Sequence, residues 1–232
     1  MSLLKIKNLD TGYGKKQVLF NISFELEENE SLLLVGPNGS GKSTLLKAIF
    51  GILKPWSEKS RIIYNNENIT NFSPSSLIKK GIIYIPQKNE LFDDLTVKEN
   101  LEICGTHYLK KKFLNQKIEE VLFCIPNLKN VLKKEAFRLS GGERKLLSIG
   151  MVLVNQPKIV MFDEPFAGIS PQNIVFILKQ FQNLIFNKVS LILVEHRFKE
   201  AFKLTNKVIG LKLGSIIEDK LDTLKKIQEV ML

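Results

Sequence analysis

Apolar residues recur along this chain in two rhythms, and the switches between them lay out its elements. Residues 3–9 and 18–27 alternate apolar with polar side chains, the period of strands buried on one face, with the turn-rich Thr11-Gly12-Tyr13-Gly14 between them. Residues 31–35, 81–85, 159–162 and 191–194 are short apolar runs that predict buried strands. Ile62-Ile63-Tyr64 predicts one more strand, and residues 208–217 predict a closing hairpin around Gly214-Ser215. The helical rhythm appears over residues 42–52, 97–104, 116–124 and 143–154. Ser170-Pro171 reads as a cap followed by a first-turn proline. It opens a helix with Ile174, Ile177, Leu178, Phe181, Leu184 and Ile185 on one face. Residues 65–76, rich in Asn and Ser with Pro74, predict a loop, and residues 222–231 a last helix. The pattern is that of one α/β domain over residues 1–232. Residues 1–30 and 60–72 supply an antiparallel β layer, and residues 89–138, which lack a strong strand, form a helical subdomain inserted into a mostly parallel core.

Candidate chemistry concentrates where strands end. Gly36-Pro37-Asn38-Gly39-Ser40-Gly41-Lys42-Ser43-Thr44 has the spacing of a phosphate loop, and it lies between a predicted strand and a predicted helix. Glycines allow successive backbone N–H groups to turn inward and cradle phosphate oxygens. Lys42 adds a point charge for the β- and γ-phosphates, Ser43 offers a hydroxyl to Mg²⁺, and the helix start aims its dipole at the same anion. This makes the core that of a P-loop nucleotide-binding domain. Asp163-Glu164 stands at the end of an apolar strand, where α/β sheets present ligands. Asp163 is placed to hold the metal or its water, and Glu164 to orient or deprotonate an attacking water. Ser140-Gly141-Gly142-Glu143 admits two readings. Its spacing is that of a capping box, and its glycines leave a helix start open to a phosphate.

Composition narrows the classes. Hydrophobic residues make up 44% and charged residues 25%, and no apolar stretch approaches the roughly 20 residues needed to cross a bilayer. The opening MSLLKIKNLD has lysines among its apolar residues and no small-residue cleavage site, which predicts a cytoplasmic protein without a secretory signal. The net charge of +10 is spread along the chain. Its densest cluster, Lys110-Lys111-Lys112, lies near Glu102, Glu119 and Glu120, so a solvated face is expected and no nucleic-acid partner. Cys104 and Cys124 lack metal-site spacing and are expected to be reduced, structural thiols.

With these residues in place, Leu139-Ser140-Gly141-Gly142-Glu143 resembles the signature of ATP-binding-cassette ATPases. The resemblance covers nearly the whole chain and includes Tyr13, the phosphate loop, Gln87 after a strand, the signature, Asp163-Glu164 and His196, all in the family's order. It implies that Tyr13 stacks on adenine and that Asn38, Gly39, Ser40, Gly41, Lys42, Ser43 and Thr44 hold the phosphates of ATP. It further implies that Gln87 meets Mg²⁺ beside Ser43 and Asp163 and senses the transporter, that Glu164 is the catalytic base and that His196 contacts the γ-phosphate. Ser140, Gly141, Gly142 and Glu143 would complete the site of a second ATPase subunit. The implied assembly is a head-to-tail homodimer or heterodimer, bound to transmembrane permease subunits on the inner face of the membrane.

The chain departs from the family pattern in places. Leu146 and Met151 stand where many members carry arginine, and Phe166-Ala167-Gly168-Ile169-Ser170 ends in Ser where many have Asp. The Gly-Ile-Ser-Pro ending and Gly150 look similar to the branch that serves branched-chain amino-acid uptake and lipopolysaccharide export. A soluble cassette ATPase for cofactor assembly or nucleic-acid maintenance is the alternative, since a fold does not fix a function. A GTPase is discounted because Asn187-Lys188-Val189-Ser190 and Asn206-Lys207-Val208-Ile209 both lack the Asp of a guanine-reading motif.

Overall fold

The computed structural model describes residues 2–88, 91–105, 110–218 and 223–231. The expected boundaries at Asn89 and Asp222 fall outside these residues.

In chain order, β1 (Ser2–Tyr13) and β2 (Lys16–Glu27) form a hairpin, and β3 (Ser31–Val35) leads into α1 (Lys42–Ile49). β4 (Arg61–Tyr64), β5 (Glu67–Asn68), α2 (Pro74–Lys79) and β6 (Ile82–Ile85) follow. Then come α3 (Val97–Gly105), α4 (Lys111–Cys124), two 3-10 turns and α5 (Gly141–Val154). The chain closes with β7 (Ile159–Asp163), α6 (Pro171–Phe186), β8 (Ser190–Val194), α7 (Phe198–Phe202), β9 (Lys207–Lys212), β10 (Ser215–Glu218) and α8 (Leu224–Met231).

Two sheets organise the molecule. An antiparallel sheet runs β2-β1-β4-β5, and a larger one runs β10-β9-β3-β8-β7-β6, parallel throughout except for the edge strand β10. The period-two geometry of a strand divides the core between the faces of the larger sheet. Leu33 and Val35, Val160 and Phe162, Leu191 and Leu193 join one apolar cluster with α3 to α6. Leu32 and Leu34, Ile159 and Met161, Ile192 and Val194 join the other, with α1 and the antiparallel sheet. Both faces are covered, which is why these strands read as continuous apolar runs. Phe162, Phe166 and Phe181 stack inside the first cluster, with ring centroids 4.6 and 5.9 Å apart. Leu146 and Met151 are buried on α5, so the arginine positions of many relatives are core positions here.

Several expectations need correction. Thr11, Gly12 and Tyr13 belong to β1, and the turn is narrower, because irregular register lets the hairpin continue to the pair Tyr13 and Lys16. Residues 65–76 are not all loop: β5 pairs with β4, and α2 begins at Pro74, because Ser73 caps it by accepting the Ser76 N–H and proline suits the first helical position. Ser170 has the backbone of a cap, but its side chain makes no capping hydrogen bond. Cys104 is half-buried, and burial pushes its thiol pKa up to about 12, whereas Cys124 is exposed and fills no core. The short α7 was not expected from the pattern.

Residues 92–96 are tied down by buried Asn100 on α3. Its side chain accepts the Phe92 N–H at 2.9 Å and donates to the carbonyls of Phe92, Leu95 and Thr96. Lys110, Lys111 and Lys112 are exposed, in keeping with a solvated face. No helix among the described residues is long and apolar enough to cross a membrane.

Candidate active site

The C-terminal ends of β3, β7 and β8 converge with the end of β6 on one cleft. Its floor is the loop between β3 and α1. Gly36 is irreplaceable there for a steric reason: a Cβ would sit 2.0 Å from the Leu211 carbonyl oxygen of β9. The Gly214 N–H donates to the Ser40 carbonyl at 3.0 Å, and the Gly36 N–H to the Met231 sulfur at 3.2 Å, so the last strands and α8 clamp the loop from below. Gly41 precedes α1 at its cap position, φ +104, with no side-chain cap, which leaves the helix's first N–H groups available to a ligand. The buried Ser40 hydroxyl has no hydrogen-bond partner among the described residues. An uncapped helix start and an orphaned buried hydroxyl in a glycine cradle fit an oxyanion-rich ligand.

The charged groups face this cradle. Lys42 Nζ donates to the carbonyls of Gly36 and Pro37 at 2.8 and 2.9 Å, curling over the loop. Burial lowers its pKa, while Glu164 and Asp163 act in the opposite sense. Asp163 accepts the Ser43 hydroxyl on Oδ1 at 2.9 Å and the Tyr84 hydroxyl on Oδ2 at 3.2 Å. Burial raises the Asp163 pKa, against the hydrogen bonds from Ser43 and Tyr84. A Ser hydroxyl beside a carboxylate is an all-oxygen donor set of the kind Mg²⁺ takes together with phosphates. Glu164 adopts φ +52, an uncommon backbone for a non-glycine residue, with its N–H on the Val194 carbonyl at 2.8 Å. One of its carboxylate oxygens accepts the Gln87 amide, and the other lies 3.1 Å from His196 Nε2. Asn38, Gly39, Gly41, Lys42, Ser43, Thr44 and Glu164 line a cleft of about 290 Å³. Tyr13 is 46% exposed beside it, its hydroxyl 3.5 Å from Thr44 Oγ1 and Lys47 Nζ 5.9 Å from its ring centroid.

The signature residues are placed differently. Ser140 accepts the Glu143 N–H at 3.3 Å, and Glu143 accepts the Ser140 N–H at 2.8 Å, a complete capping box at the start of α5. The Ser140 N–H and hydroxyl, both donating to the Glu143 carboxylate, hold its pKa below the usual carboxylate value. Gly142 abuts Asn173 of α6, whose Nδ2 a Cβ would approach to 2.3 Å. None of Ser140, Gly141, Gly142 and Glu143 lines the cleft built by the phosphate loop of its own chain.

Comparison with known proteins decides the family. Residues 19–167 match the family model described as ABC transporter. The chain belongs to the ABC transporter family. As a family member it is a nucleotide-binding ATPase, the ATP-hydrolysing subunit of a transporter. It is 36% identical over 218 residues to a probable branched-chain amino acid transport ATP-binding protein, LivF, of Archaeoglobus fulgidus, covering 92% of this chain and 90% of that one. It is 30% identical over 223 residues to the lipopolysaccharide export system ATP-binding protein LptB of Haemophilus influenzae, covering 94% and 90%. A solved dimeric ATP-binding cassette in a post-hydrolysis state, bound to ADP and Pi, superposes with a TM-score of 0.82 at 25% identity, covering 94% of this chain and 97% of that one. These ABC relatives favour the transporter over the soluble cassette.

Two polar groups around this ABC cleft, one bonded to Asp163 and one buried behind Glu164, were not singled out in the sequence. Tyr84 reaches Asp163 because β6 lies beside β7, a register that local pattern does not encode. Glu195 left a fainter signal, a carboxylate directly after an apolar strand and before His196.

Proposed function

We propose that this chain works as one of two ATPase subunits arranged head to tail, a homodimer or a heterodimer, that drive permease subunits from the inner face of the membrane. One observation carries the reading: the phosphate loop, Asp163 and Glu164 share a cleft, while the signature of the same chain lies outside it. The signature is therefore free to close the cleft of a second subunit.

Within the cleft, each residue has a task that follows from its position. Backbone N–H groups from Gly39 to Thr44 bind the β- and γ-phosphates of ATP, and Lys42 leaves the Gly36 and Pro37 carbonyls to meet them. Tyr13 offers its exposed ring to adenine. Ser43 and Asp163, with Gln87 completing the set, would hold Mg²⁺, which offsets the negative charge that develops on the transferring phosphoryl group. Glu164 orients a water and accepts its proton, and His196, 3.1 Å away, passes from Glu164 to the γ-phosphate oxygen. Similarity to ATP-binding proteins of both import and export systems is consistent with cargo and direction being chosen by the permease.

Glu164→Gln tests this reading. Gln keeps the shape and some hydrogen bonding but accepts no proton, so turnover should fall by about 10²–10⁴ while ATP still binds. Light scattering should show an ATP-dependent dimer in this variant, and Ser140→Arg should abolish that dimer. Turnover at the parental rate removes Glu164 from the mechanism. Tight ATP binding by a protein that stays monomeric rejects the shared site.

A further inference from the structure

The acidic residue at the end of β8 has no task in the proposed reaction. Glu195 lies between Val194 and His196, yet its side chain turns inward and the residue is only 2% exposed. Its Oε1 accepts the Phe166 N–H at 2.6 Å and its Oε2 the Arg197 N–H at 3.0 Å. Burial raises its pKa, opposed by hydrogen bonds from the Arg197 and Phe166 N–H groups. A buried carboxylate costs stability unless its lone pairs are filled, and here each oxygen has a backbone donor.

Those donors come from different segments. Phe166 follows Glu164 by two residues, and Arg197 directly follows His196. The same two segments meet again where Glu164 N–H donates to the Val194 carbonyl at 2.8 Å, and where Arg197 Nη1 donates to the Ile169 carbonyl at 3.4 Å. Glu164 itself holds φ +52, a sparsely populated conformation that persists only where its surroundings enforce it.

We infer that Glu195 is a positioning residue whose carboxylate clasps the chain after Glu164 to the chain after His196, fixing the distance between the two. The inference rests on the reading of Glu164 as the base. Among the described residues Glu195 makes no hydrogen bond to Lys42 or to the phosphate loop, so its loss acts on turnover and not on ATP affinity. Gln at this position keeps one acceptor oxygen but turns an N–H₂ toward the second backbone donor, so it holds one strand of the clasp. Ala holds neither.

The test measures MgATP turnover per bound nucleotide and ATP affinity for the full chain and for Glu195→Ala, Glu195→Gln and Glu164→Gln. Misplacement of reacting groups by about 1 Å can cost about 10²-fold, so Glu195→Ala should lose about 10- to 10²-fold in turnover, with Glu195→Gln between it and the parent. ATP affinity should stay within about twofold of the parent in both, which separates positioning from general support of the cleft. Parental turnover in Glu195→Ala, or affinity falling in step with turnover, overturns the clasp. If Glu195→Ala does not fold, the isosteric Glu195→Gln decides, and unchanged turnover in it has the same meaning. Full activity in Glu164→Gln would instead overturn the base on which the inference rests. An inactive Glu164→Gln beside a fully active Glu195→Ala rejects the clasp alone.

Discussion

Two glycine-rich helix starts, one before α1 and one before α5, carry similar sequences and have opposite local chemistry. The α1 start has no side-chain cap, a left-handed glycine at its cap position and an orphaned buried hydroxyl from Ser40. The α5 start is saturated by its own side chains, with Ser140 and Glu143 exchanging hydrogen bonds in both directions. Around the first, Lys42 and Asp163 are buried and both pKa values shift toward the neutral form. Around the second, Glu143 is held in its charged form by Ser140. The lesson is thermodynamic. A cleft suited to gripping phosphates is built from unmet donors and confined charge, whereas the helix start proposed above to close a second subunit's cleft is satisfied within the single chain.

The largest effect expected from this contrast is at Lys42. Truncating one partner of a buried charge contact costs about 2–5 kcal/mol, so Lys42→Ala should weaken ATP binding by that amount in a calorimetric titration. The ligand-free fold should remain, because among the described residues the lysine's hydrogen bonds there go to two loop carbonyls and not to the core. Undiminished affinity would mean that the loop grips phosphate without its lysine, erasing the distinction between the two helix starts.

Asp163 sharpens the contrast through pH. Its folded pKa lies above its usual 3.8, so the folded state holds the proton more tightly than the unfolded chain. The resulting stability is present below about pH 3.8 and is lost as pH rises through the folded value. Asp163→Asn has no such loss. Its stability relative to the parent, from urea unfolding of ligand-free protein, should rise between acid and neutral pH, and a pH-independent difference would contradict the confined charge.

The smallest effects separate two serines. Ser140→Ala removes a working cap and should cost about 1 kcal/mol in urea unfolding. Ser170→Ala should fall within about 0.5 kcal/mol of the parent, since Ser170 makes no capping bond. Equal costs would show that cap geometry alone, without the hydrogen bond, sets the energy.

Much of the candidate site was legible because its parts are local. A phosphate loop needs its glycines, lysine and serine close together in sequence, and Asp163-Glu164 stands at the end of one apolar strand and His196 two residues past another, strands that their length and composition mark. The capping box was equally readable, since Ser140 and Glu143 are three residues apart on one turn. By contrast, the α2 helix hid in a polar stretch. It is six residues long with only Leu77 buried, too short for periodicity to reveal.

The sequence by itself therefore determined most of the element order, the candidate phosphate loop and the identity of the groups around it, because backbone conformation and period depend on neighbours a few residues away. Tertiary structure alone decided which of them meet. Tyr84 reaches Asp163 through the register of β6 on β7, and Gln87 and His196 reach Glu164 across gaps in sequence of 77 and 32 residues. Glu195 joins Phe166 to Arg197 only once β7 and β8 lie side by side. These contacts depend on strand order and burial, which no local pattern specifies, and burial is also what shifts the charges of Lys42, Asp163 and Glu195.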